Sequence, residues 1–100
     1  MKAVVVRIEG FPTVGDTVLL HHTGARGGRS SGGHVVAEGD TLAILANKLA
    51  DSCKHGYVGQ FNIKAKGESI TIICSDKVND AIFIPEVLGA GTETLIVEEL

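Results

Sequence analysis

The chain of 100 residues has no tryptophan, one tyrosine (Tyr57) and three phenylalanines (Phe11, Phe61 and Phe83). It has few of the flat aromatic platforms on which bases or sugar rings stack. Basic residues are scarce as well: nine Lys and Arg stand against twelve Asp and Glu, a formal charge of −3. A polyphosphate backbone therefore meets net repulsion, and nucleic acid is not an expected partner. Apolar runs are short. Arg7 interrupts the opening Met1-Lys2-Ala3-Val4-Val5-Val6 too early for the core of a signal peptide, and no later run approaches bilayer length. The expectation is a protein made in a cytosol, with no membrane partner. The two cysteines, Cys53 and Cys74, form neither a CxxC pair nor a disulfide framework. They read as small buried hydrophobes, with a disulfide between them as the alternative.

What the chain does have is one helix among strands. In the run from His34 to Asp51, Leu42, Leu45, Ala46, Leu49 and then Cys53 recur at helical spacing, while Asn47, Lys48, Asp51 and Lys54 fall on the other face. Asp40 or Thr41 supplies the N-cap. Lys54, His55 and Gly56 close the helix in the manner of a C-terminus.

The remainder alternates with period two. Lys2–Glu9 places Val4, Val6 and Ile8 on one side and stops at Gly10-Phe11-Pro12. Thr17–Thr23 follows, with Val18 and Leu20 opposite Thr17 and Leu19. Residues Gly24 to Gly33 lack an apolar face and are read as a mobile hairpin loop, with His34–Ala37 as the returning strand. Beyond the helix, Tyr57–Ala65 and Ser69–Cys74 form a hairpin about Lys66-Gly67-Glu68. Ala81–Ile84 is a short strand ended by Pro85, and Thr94–Glu99 is the last strand. Residues 1–100 thus make one α+β domain: an antiparallel β-sandwich or curled sheet with a single α-helix packed on it. Its expected core is Val4, Val6, Ile8, Val18, Leu20, Phe61, Ile63, Ile70 and Ile72 against Leu42, Leu45 and Leu49.

Candidate chemistry is thin. Gly28-Arg29-Ser30-Ser31-Gly32 has the spelling of a GxSxG nucleophile elbow, yet a strand-turn-helix context in a larger hydrolase is what gives that motif its meaning. The same loop lacks the Lys-Ser/Thr that ends a phosphate-binding loop. His21, His22, His34 and His55 invite a metal, but adjacent strand residues face opposite ways, so His21 and His22 cannot share a site, and neither carboxylate nor thiolate stands at ligand spacing. No catalytic residue, metal or cofactor is expected.

The runs Ile8 to Val18, Val35 to Leu42 entering the helix, Phe61 to Gly67 with Ile70-Thr71-Ile72, and Gly89 to Val97 extend over nearly the whole chain. In their order and spacing they resemble the small repeated β-rich domain of tail-sheath and related virion proteins of tailed bacteriophages. That resemblance implies a non-enzymatic structural subunit of a virion, such as a capsid decoration or a tail or collar accessory protein. Its partners would be other virion proteins and copies of itself in a homo-oligomer or symmetric array. Val35 to Leu45 also looks like the opening of a LysM peptidoglycan-binding module. That likeness would require a second helix, where an alternating hairpin is read instead.

The expected contact residues are Arg26 and Arg29 in the Gly-rich loop, suited to an acidic patch, together with Ile96, Glu98 and Glu99 on the last strand. With Leu95 and Val97 turned to the core, Ile96 would be left as an exposed apolar contact beside the acidic end.

Overall fold

A computed structural model of the chain describes residues 2–23, 29–56, 61–74 and 81–100. In chain order the elements are β1 (Lys2–Gly10), β2 (Thr17–Thr23), β3 (Arg29–Val35), α1 (Leu42–Gly56), β4 (Phe61–Lys66), β5 (Ser69–Cys74), β6 (Ile82–Leu88) and β7 (Glu93–Glu99). All pairings are antiparallel. One sheet has the order β4-β5-β1-β7 and the other β3-β2-β6. The fold is the expected α+β sandwich with a single helix.

Valine and isoleucine suit the pleated, half-buried surface of β1 and β5. Val4, Val6 and Ile8 enter the core opposite Ile72 and Ile70. From the second sheet come Val18 and Leu20, and between the layers lies the helix stripe of Leu45, Ala46, Leu49, Ala50 and Cys53. Leu42 and Phe61 reach this core only in part. The helix packs chiefly on β3 and β4, the edge strands that would otherwise leave one side of the sandwich open. Cys53 and Cys74 are both buried and are not joined in a disulfide.

Thr41 is the N-cap, its Oγ1 accepting from Ile44 N at 3.2 Å. Asp40 serves the preceding turn instead: its Oδ2 accepts from Ala37 N at 2.9 Å and pairs with His34 Nε2 at 2.9 Å. At the other end His55 Nδ1 donates to Asp51 O at 2.7 Å.

Two strands differ from the sequence reading. β3 begins at Arg29, inside the segment assigned to a mobile loop, and ends at Val35. Its glycines are used for closeness. Gly32 lies under α1 and Gly33 under Leu19, where a Cβ would collide with each, and Gly33 N donates to Ser52 Oγ at 2.9 Å. Residues 24–28 fall outside the described residues, as do 57–60, where the β4 strand was expected to start. β6 runs through Pro85 to Leu88 instead of stopping before it. It is an edge strand, and a proline is tolerated there because its missing N–H takes nothing from the ladder.

Candidate functional site

Residues paired across an antiparallel ladder project to the same face of the sheet. The register therefore defines the outer face of β3-β2-β6 row by row: Val35, Thr17, Leu88; Gly33, Leu19, Glu86; Ser31, His21, Ile84; Arg29, Thr23, Ile82. Four large aliphatic side chains stand open on it, Val35 (57% exposed), Ile82 (59%), Ile84 (46%) and Leu88 (49%). Two more, Phe11 (80%) and Val14 (63%), belong to the β1–β2 turn at the Leu88 end.

The outer face of the other sheet is different in kind. Its rows read Lys66, Ser69, Arg7, Ile96; Lys64, Thr71, Val5, Glu98; and Asn62, Ile73, Ala3. Arg7 Nη2 pairs with Glu98 Oε1 at 2.5 Å. Ile96, opposite Arg7 in the register, is half-buried and not the exposed contact expected from strand parity. Glu98 and Glu99 are exposed. Arg29 lies on β3 opposite Thr23, with its side chain outside the described residues, and Arg26 is outside them altogether. The expected contact residues among those described thus divide between the two sheets, whereas an apolar face that sequence reasoning did not single out does form.

Near the middle of that face His21 links three strands. Its Nε2 donates to Glu86 Oε1 at 3.0 Å, which in the neutral ring leaves Nδ1 as acceptor for the Ser31 hydroxyl at 2.5 Å. The order Ser, His, carboxylate is that of a nucleophile relay. Its serine is not the one the GxSxG spelling designates: Ser30 pairs with His22 and faces the interior side of the sheet. The nearby Gly33 N–H is engaged by Ser52, so it is not aimed at a developing oxyanion. No side-chain motif in sequence predicts this trio; it exists only once the strand register is known.

His22 takes the opposite face, as alternation requires. It is buried between Phe61, at a centroid distance of 4.8 Å, and Phe83, at 6.1 Å. Burial pushes its pKa below the usual histidine value.

A second polar locus closes the Phe11 end. Asp16 and Glu93 are both buried. Asp16 Oδ1 accepts from Ala90 N at 2.9 Å, and Glu93 Oε2 accepts from Thr13 N at 3.4 Å. The Thr92 hydroxyl lies between Phe11 O and these carboxyls, in contact with the Thr13 hydroxyl. The Ala90 N–H, then the Glu93 carboxyl, then Thr92, hold Asp16 below the usual carboxylate range against the opposing effect of burial. Gly89, at φ +113°, brings the β6–β7 turn directly against Asp16. This locus ties two turns together.

Among the described residues no three His, Cys, Asp or Glu side chains are grouped to hold a metal ion. No helix among them is long and apolar enough to cross a membrane. Comparison with protein-family models, curated proteins and solved structures returned no match.

Proposed function

We propose that the chain is a non-enzymatic structural subunit of a tailed-bacteriophage virion, a capsid decoration or a tail or collar accessory protein. It would work by contacts with other virion proteins and with copies of itself. The single observation that carries a contact role is the open apolar face of β3-β2-β6, since soluble monomers rarely expose contiguous apolar surface without a partner for it. The virion setting is supported by the resemblance of the runs 8–18, 35–42, 61–72 and 89–97. In this reading the contact centres on Ile82, Ile84, Leu88 and Val35, with Arg29 in the same sheet and Arg26 close to it in sequence as basic candidates at its margin, while Glu98 and Glu99, on the other sheet, are candidates for a separate contact. Mass spectrometry of purified particles is the test. Tens to hundreds of copies per particle are expected, and absence from particles overturns the virion reading.

A second reading, acyl transfer at Ser31, is favoured by the Ser31–His21–Glu86 relay alone. A fluorophosphonate probe that labels Ser31 in the wild type but not after His21→Ala would establish it, and an unlabelled wild type removes it. The LysM-like alternative has less to stand on, because α1 is followed by β4 with only residues 57–60 between them.

A further inference from the structure

The occupant of the β3-β2-β6 face is constrained by its charge, its size and its edge. We infer that it is the same face of a second copy, packed sheet to sheet about a two-fold axis. This rests on the contact role proposed above and names the partner.

By register the face carries one carboxylate, Glu86, and one fixed base, Arg29, whose formal charges cancel; His21 is hydrogen-bonded to Glu86 at 3.0 Å, with Leu19, Ile82, Ile84 and Leu88 around them. A two-fold contact places a surface against itself, so only a face with balanced charge meets its copy without net repulsion. The whole chain, at −3, repels its copies on average. The opposite outer face presents Lys64, Lys66 and Arg7 against Glu98, and among the described large apolar side chains of its strands only Ile73 is exposed, at 38%.

Side-by-side joining of sheets is disfavoured. Pro85 lies in the interior of the outer strand β6, with no N–H to offer another strand along that edge. Face-to-face packing needs no backbone hydrogen bonds from it. Three strands of seven residues span about 23 Å by 14 Å, or about 300 Å², well below the roughly 800 Å² per partner of a standard interface. The pairing is therefore weak in isolation and shows only at high protein concentration.

Analytical ultracentrifugation of the full chain from about 10 µM to 1 mM tests this, with Ile84→Glu and Leu88→Lys as face variants and Ile73→Glu, on the other sheet, as control. All three sites are exposed, and circular dichroism with thermal melts confirms that each variant is folded. The wild type and Ile73→Glu should move from the mass of one chain toward that of two, with at least a tenfold weaker association in both face variants. A wild type that stays single over the whole range overturns the second-copy inference. So does a ladder of masses beyond two, or face variants that pair like the wild type. Particle incorporation separates the two levels. A single-copy wild type whose Ile84→Glu variant is still excluded from particles loses the second copy but keeps the contact face, whereas full incorporation of that variant overturns the contact face itself.

Discussion

Gly32 and Cys53 touch across the contact between β3 and α1: a Cβ placed on Gly32 would stand 2.5 Å from Cys53 Sγ, 2.8 Å from Cys53 N and 2.9 Å from its Cα. Two of those three atoms are backbone, so the helix must shift to admit even a methyl group. Gly32→Ala is expected to destabilise the fold by about 1–3 kcal/mol through overpacking. Adding Cys53→Ala removes the sulfur but not the backbone clash, so denaturant melts should show partial recovery at most. Full recovery would mean that the sulfur alone sets the spacing.

Leu45 is completely buried at the centre of the helix stripe. Leu45→Ala should cost on the order of 2–5 kcal/mol in the same melts, combining lost transfer energy with the cavity left behind. A change within experimental noise would contradict the packing described for α1.

Acid should loosen the molecule in two separate windows. His22 has a lowered pKa in the fold because of burial, so the unfolded chain takes up a proton first. Its contribution is complete above the ordinary histidine value, near 6.5, and declines as pH falls below it. Thermal midpoints measured between pH 7.5 and 5.5 should fall in the wild type and flatten in His22→Phe. An equal slope in both would remove His22 as the cause.

Asp16 behaves as a depressed carboxylate. Its stabilisation is present above the ordinary value of 3.8 and is lost as pH drops through the lower folded value. Asp16→Asn keeps an oxygen for the Ala90 N–H but cannot titrate, so its stability should depend less on pH below 3.8. Parallel pH curves for the two proteins would exclude Asp16 from the acid transition.

Burial raises the Cys74 thiol, with Glu99 adding to the effect and Lys2 opposing it. Since the thiolate is the reactive form, Ellman's reagent should react slowly with the native protein. It should titrate two thiols in denaturant without reductant. Fewer than two would indicate a disulfide.

The strands and helix that carry the core were legible because each has a clean period: Val4, Val6 and Ile8 by twos, Leu42, Leu45 and Leu49 along a helical face. β3 was not, because Gly32 and Gly33 have no side chain to register on either period and their role is to let α1 and Leu19 approach. β6 was cut short at Pro85, a residue whose cost depends on whether the strand lies at an edge, and strand order is not written locally. The apolar outer face was hidden for a related reason. Ile82, Phe83 and Ile84 are apolar on both parities, so alternation cannot say which set faces the core. Ile96 is half-buried where parity implied exposure, and its register partner, Arg7, comes from the far end of the chain. The His21 and Asp16 clusters each join residues more than sixty positions apart, and only tertiary structure brings them together.

The first and last strands lie side by side: Val4 is opposite Glu99, and Leu100 N donates to Ala3 O at 2.8 Å. Within this chain β1 is made well before its second neighbour, so the four-stranded layer closes only once residues 93–99 have been synthesised. Whatever is joined ahead of Lys2 or behind Leu100 departs from neighbouring points. The unit is thus suited to insertion into a surface loop of a host protein, where it would hang as a pendant without prying the loop apart.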